Sequence, residues 1–260
     1  MVAVCICLAA CASPPHAILT QPGASGVPGP LIETANYGFV PDGHYRWLGP
    51  ARAAGVYVWG HGKGANLTED LRGRPPPPHV RALNEAGYDV VRFDRSPVAD
   101  ERDRAAGWLR DGLAELRKLG YARVIVGGQS RGAWNGLQML ATPGVADAVV
   151  AVSPAAHGSG ASLNLLGQTD DFRRLLQDAQ PQNARVVFVQ FNGDPFIGDA
   201  GARRQLLDSI LRPKVAQLLV IDRPDGLLGH RAGNTPDFEQ RFSACIARFV
   251  TQADVPAPSC

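Results

Sequence analysis

The sequence predicts an α/β protein, a mostly parallel central sheet flanked by helices on both faces with little or no lid. Three observations carry this. Short runs rich in Val, Ile and Phe alternate along the chain with segments of helical period, which is the order of βαβ units. The strongest runs are almost continuously apolar, as parallel strands covered on both faces must be. Finally, 260 residues with 45% hydrophobic content can bury one substantial core. Glycines and prolines punctuate the periodic segments without forming a repeat.

Taken in order, the best strand segments are residues 55–59, 89–93, 123–127, 148–152, 185–191 and 217–221. Weaker strands are expected at 31–38 and 43–48. Helices are expected at 79–86, 100–119, 133–140, 170–178 and 202–211. A last helix is expected over 236–250, with Thr235 as its N-cap and Pro236 at its first position, where a missing N–H costs nothing. The interval 153–184 is too short for a large insertion and holds one amphipathic helix, which leaves the region above the sheet open.

The N-terminus reads differently. Residues 1–10, MVAVCICLAA, are apolar, too short to span a bilayer, and end in small residues like a signal-peptide core. Leu8-Ala9-Ala10-Cys11 resembles the lipobox of bacterial lipoproteins. That resemblance implies cleavage before Cys11, lipidation of Cys11, and a protein exported to the periplasm or cell envelope on a membrane anchor. Residues 11–30, rich in Pro, Gly, Ala and Ser, read as a flexible tether to a domain spanning 31–260. With Cys5 and Cys7 in the signal segment and Cys11 as the lipid site, Cys245 and Cys260 remain as an even pair. Export would permit a disulfide between them, worth about 3 kcal/mol by loop closure, and two free thiols are the other reading.

The formal net charge is +2, from 26 basic and 24 acidic residues, and favours no nucleic acid or other polyanionic partner. There is no Cys/His metal spacing and no dinucleotide or phosphate-loop fingerprint, so no cofactor and no metal are expected.

The chemistry concentrates in Gly128-Gln129-Ser130-Arg131-Gly132, a G-x-S-x-G sequence that follows a strand and precedes a helix. A serine on such a sharp turn is lifted above the sheet beside a helix N-terminus, and the glycines allow backbone segments to approach it. In this motif and its setting the chain resembles the α/β-hydrolase superfamily, its serine esterases and dienelactone-hydrolase-like members in particular. The resemblance implies that a histidine and a carboxylate follow the nucleophile in chain order. Only His157 and His230 follow Ser130, and His230 lies in a Gly-rich loop between the last strand and the last helix, where the resemblance places the base. Asp194, in Asn192-Gly193-Asp194-Pro195 at a strand end, is the expected acid, ahead of Asp199 and Asp222.

An oxyanion hole needs two preorganised N–H donors. One is expected from Arg131, next to the nucleophile. The other is expected from Lys63, or else Gly62, because Gly60-His61-Gly62-Lys63-Gly64 resembles the superfamily's His-Gly oxyanion loop. In that reading His61 is structural, and the Arg131 side chain is either structural or a site for a substrate anion. Trp134, Phe196, Leu227 and Leu228 neighbour the motifs and are expected in the pocket or in the core. The expected activity is cleavage of a small-molecule carboxylic ester, or less readily an amide, by a Ser130–His230–Asp194 triad through an acyl-serine. Transfer of the acyl group to another acceptor and a noncatalytic binding role are the two other readings, and the sequence leaves oligomeric state open.

Overall fold

Strands that are apolar on both sides need a covering layer on each face, and the fold supplies two. The computed structural model describes residues 26–156, 165–180, 183–252 and 260. Its strands are β1 (Ile32–Glu33), β2 (Tyr37–Pro41), β3 (Gly55–Gly60), β4 (Tyr88–Arg95), β5 (Val124–Gln129), β6 (Ala148–Val152), β7 (Arg185–Gln190) and β8 (Gln217–Asp222). They form one sheet in the order β1-β2-β4-β3-β5-β6-β7-β8. β2 runs antiparallel to β1 and β4, and every pairing from β4 through β3 to β8 is parallel.

The helices are α1 (Arg81–Glu85), α2 (Arg102–Lys118), α3 (Arg131–Gln138), α4 (Leu165–Asp178), α5 (Ala200–Leu206) and α6 (Pro236–Thr251). Alternation along the strands sorts the core into two layers. On β3, Val56 and Val58 pack with Leu109 and Leu113 of α2, Leu137 of α3 and Phe172 of α4. The intervening Tyr57 and Trp59 pack with Leu83 of α1 and with Phe238, Phe242 and Ile246 of α6. The expected three-layer α/β architecture is what the chain adopts.

The weaker strand expectations need correction. Residues 31–38 hold two strands, because the Thr34 hydroxyl accepts the Tyr37 N–H at 3.0 Å and turns the chain between β1 and β2. Residues 43–48 form no strand. Their backbone groups bond to side chains instead: Asn84 accepts the Arg46 N–H at 3.1 Å, and buried Asp89 accepts those of Leu48 and Gly49 at 2.7 and 2.9 Å. The expected helix at 202–211 begins earlier, capped by Asp199, and continues past α5 as a π turn over Leu207–Leu211. Helix α4 begins five residues before the expected 170–178. Thr235 caps α6 as expected, accepting the Phe238 N–H at 3.3 Å. A disulfide joins Cys245 of α6 to Cys260, with Cα atoms 5.9 Å apart.

His79 is buried under α6, its ring edge-on to Trp59 and Phe238 and its Nδ1–H directed to the Gly233 carbonyl at 3.2 Å. Desolvation lowers its pKa to about 4, although the Gly233 bond opposes the shift. An unfolded histidine titrates near 6.5, so the unfolded chain binds more protons below that pH. The contribution of His79 is therefore complete above pH 6.5 and is lost as the pH falls toward 4, by about 3 kcal/mol at pH 4. Urea unfolding at pH 7 and pH 4 is expected to show this slope, and His79→Gln to flatten it.

Candidate active site

Strand β5 ends at Gln129 and helix α3 starts at Arg131, which leaves Ser130 alone to make the turn. It does so with φ 56° and ψ −116°, a region that disfavours side chains by roughly 1–3 kcal/mol. Neighbouring backbone holds it there. The Ser130 N–H donates to Val152 at 3.0 Å, and its carbonyl accepts from Trp134 at 3.0 Å and Ala155 at 3.2 Å. Helix α3 can start so close to the sheet because of glycines on both elements, Gly132 on α3 and Gly128 on β5. A Cβ on Gly132 would stand 1.9 Å from the Gly60 carbonyl oxygen, and one on Gly128 2.4 Å from the Gly132 carbonyl carbon.

His230 and Asp194 come from loops beyond the ends of β8 and β7. The loops are tied together by the Gly229 N–H, which donates to the Asn192 carbonyl at 2.8 Å. His230 Nδ1 lies 2.8 Å from Asp194 Oδ2, and the carboxylate side chain is 1% exposed against 12% for the imidazole. The other carboxylate oxygen, Oδ1, accepts the Phe196 N–H at 2.9 Å, and the Phe196 ring lies tilted against the imidazole with centroids 4.4 Å apart. Both faces of the acid are thus fixed. Behind it, fully buried Arg203 donates to the Pro154 carbonyl at 2.7 Å and lies over the Phe172 ring. Burial pulls its pKa down to about 9, partly offset by the negative charge of Asp194.

The other carboxylates weighed from the sequence are engaged elsewhere. Asp199 caps α5 through the Ala202 N–H at 2.9 Å, and Asp222 pairs with Arg223 at 2.8 Å while accepting from Gln190. His157 lies outside the described residues, as do Cys11, the expected signal peptide at 1–10 and the expected tether up to residue 25.

The 60–64 loop crosses in front of Ser130. A Cβ on Gly62 would stand 3.4 Å from the Ser130 Cβ, and Lys63 lines the cavity that holds Ser130 and His230. His61 is committed to the loop. One ring nitrogen donates to the Gly62 carbonyl at 2.6 Å and the other accepts the Arg95 N–H at 3.1 Å. Desolvation and then the Arg95 guanidinium push its pKa down to about 3, so it is neutral in ordinary buffers. Arg95 is itself fully buried, pairs with Asp100 at 3.0 Å, and donates to the His61 carbonyl at 2.6 Å. The Arg131 guanidinium points away from the cavity to the Ala156 carbonyl at 2.8 Å, which leaves its N–H at the first position of α3 beside Ser130.

One contact escaped the sequence reading. Gln129, buried at the elbow, donates from Nε2 to the His230 carbonyl at 3.0 Å, and a Cβ on Gly62 would meet its Oε1 at 2.9 Å. It touches the histidine loop and the 60–64 loop at once. The cavity, about 860 Å³, is walled by Trp59, Leu71, the Pro75–Pro78 run, Phe196 and Leu228. Trp134 and Leu227 are core residues rather than lining. Among the described residues no group of histidine, cysteine and carboxylate side chains could hold a metal ion.

The order of strands, the elbow after β5 and the loops beyond β7 and β8 define the α/β-hydrolase fold. Solved structures share it. An esterase of Pyrococcus furiosus superposes with a TM-score of 0.55 at 16% identity, over 83% of this chain and 84% of that one. A monoacylglycerol lipase of Paleococcus ferrophilus gives 0.56 at 18% identity, over 78% and 96%. Est1E of Butyrivibrio proteoclasticus gives 0.57 at 13% identity, over 89% and 96%. No protein-family model and no curated protein sequence matches the chain.

Proposed function

We propose that the chain is a serine hydrolase of carboxylic esters. The observation that carries this reading is the 2.8 Å contact of His230 with buried Asp194, beside the cavity that also holds Ser130 on its strained turn. The esterase and the lipase that share the fold support an ester as substrate. A serine hydroxyl is a weak nucleophile, so His230 takes its proton as Oγ attacks the ester carbonyl, with Asp194 fixing the tautomer and steadying the imidazolium. The N–H groups of Arg131 and of Lys63 or Gly62 stabilise the oxyanion. Collapse expels the alcohol, protonated by His230, and leaves acyl-Ser130. Water, deprotonated by His230, then attacks the acyl carbon and releases the acid and free serine. Reaction with a fluorophosphonate probe tests this: mass spectrometry is expected to find one adduct, on Ser130, and a folded chain that takes up no label would overturn the reading.

Gln129 positions the base in this scheme. Gln129→Leu is expected to lower kcat on the order of tenfold with less change in KM, since small misplacements of a catalytic group cost rate before they cost binding. Steady-state kinetics with p-nitrophenyl acetate reads the split.

We also read the chain as an exported lipoprotein, with residues 1–10 removed, Cys11 lipidated, residues 11–30 as tether and 31–260 as the catalytic domain. The Cys245–Cys260 disulfide supports an oxidising compartment. Metabolic labelling with an alkynyl fatty acid is expected to mark the wild type and not Cys11→Ser; equal labelling of both would overturn the anchor.

A further inference from the structure

A charge buried away from water costs stability heavily unless an opposite charge and hydrogen bonds meet it. Arg203 on α5 has few of either. Its side chain is fully buried, and among the described residues its one hydrogen bond runs from Nη1 to the Pro154 carbonyl at 2.7 Å, while Nε and Nη2 have no partner. The acid whose charge acts on it is Asp194. Acids on the surrounding elements are engaged by other groups. Asp170 and Asp171 of α4 pair with Arg173 and Arg174, Asp208 beyond α5 with Arg204 and Arg212, and Asp222 at the end of β8 with Arg223, while Asp199 caps α5.

Asp194 is short of a cation in turn. Its buried carboxylate faces the Nδ1 of His230 and the N–H of Phe196, and neither is charged while the imidazole is neutral. A buried carboxylate with no cation near it takes up a proton, and a protonated acid cannot steady the imidazolium that forms as a serine attacks. Arg203 also reaches toward the nucleophile. Pro154 lies in the segment that leaves β6 through Ser153, which is held at φ 46°. That segment carries the elbow: the Val152 carbonyl accepts the Ser130 N–H, and the Ala155 N–H donates to the Ser130 carbonyl. One guanidinium therefore touches the strap under Ser130 and supplies the charge that balances Asp194.

We propose that Arg203 is a positioning residue of the hydrolase, its charge keeping Asp194 ionised and its bond to Pro154 fixing the strap that carries Ser130. The catalytic half of the proposal rests on the ester-hydrolase reading; the pairing of the two buried charges does not.

Urea unfolding of the full chain at pH 7 tests the pairing. In the wild type, Asp194→Asn is expected to lower the midpoint by about 1 M, because it leaves Arg203 as an unpaired buried charge. In Arg203→Met the carboxylate is itself the unpaired charge, so the same change is expected to leave the midpoint or raise it. The bond from Asp194 to His230 is lost in both backgrounds and cancels. If Arg203→Met alone does not fold, the double variant, which carries neither charge, is expected to. Equal losses in the two backgrounds, or a double variant that also fails to fold, would overturn the pairing. Turnover of p-nitrophenyl acetate reads the catalytic half. Arg203→Met is expected to lower kcat about tenfold with KM within about twofold, and Arg203→Lys, which keeps a charge, to recover most of that loss. An unchanged kcat in Arg203→Met, or an equal loss in Arg203→Lys, would overturn the positioning role. A chain that couples the two charges yet hydrolyses no ester would keep the pairing and sink the hydrolase reading.

Discussion

Ser130→Ala is expected to lower kcat/KM for p-nitrophenyl acetate by on the order of 10⁴-fold or more and to abolish fluorophosphonate labelling while the chain stays folded. In the proposed mechanism alanine removes the atom that forms the acyl bond, and it removes nothing that the fold depends on, because the elbow is held through the backbone bonds of Ser130 to Val152, Trp134 and Ala155. Asp194→Asn is expected to cost nearly as much, about 10⁴-fold in kcat. The carboxylate Oδ2 accepts the Nδ1–H of His230, and an amide nitrogen placed there would present a hydrogen instead, favouring the tautomer that cannot accept the serine proton. Because the groups act as a unit, the double variant is expected to lose little beyond the more damaging single one. Full additivity would mean that Asp194 acts independently of Ser130.

Gly132→Ala is expected to be the most damaging single methyl in the molecule, lowering stability by about 3 kcal/mol or more and removing activity with it. The added Cβ would stand 1.9 Å from the Gly60 carbonyl oxygen and 2.8 Å from that of His61. Both are backbone atoms, so neither can rotate away; α3 must lift off β3, and the elbow and the 60–64 loop separate. Urea unfolding measures the loss, and a Gly132→Ala chain as stable and active as the wild type would contradict the close approach. Gly136 lies four residues along the same helix with only side chains 3.5 Å or more from its notional Cβ, so Gly136→Ala serves as the mild control.

The elements that the sequence made legible are those whose burial is continuous. β3 and β5 are buried at every position, and such runs declare themselves without knowledge of their neighbours. The edge hairpin did not, because a side-chain bond of Thr34 turns the chain within one expected strand, and the loop after it did not, because its N–H groups donate to Asn84 and Asp89, about 40 residues away in the chain. The same division runs through the candidate site. G-x-S-x-G is local and its setting could be read directly. The preference for Asp194 over Asp199 and Asp222 rested on its Gly-Asp-Pro setting at a strand end, whereas its approach to His230 depends on two loops far apart in the chain that no local pattern describes. Gln129 is the extreme case: it stands beside the serine in the motif, but the carbonyl it holds belongs to a residue 101 positions later.

The loop that follows β3 is built in two unlike halves. Its first residues are clamped by His61, Arg95 and Asp100, groups that also fix where Ser130 is approached. From Ala65 to Arg72 the chain is shaped by short-range bonds of Asn66, Glu69 and Asp70, and it runs largely exposed, with one tie at Gly73 to Asp94, to the proline wall of the cavity. Variation is therefore cheap in the second half and ruinous in the first. A library randomised over residues 65–74 would sample new substrate ranges on an unaltered reaction centre, and natural descendants of this chain would be expected to diverge there first.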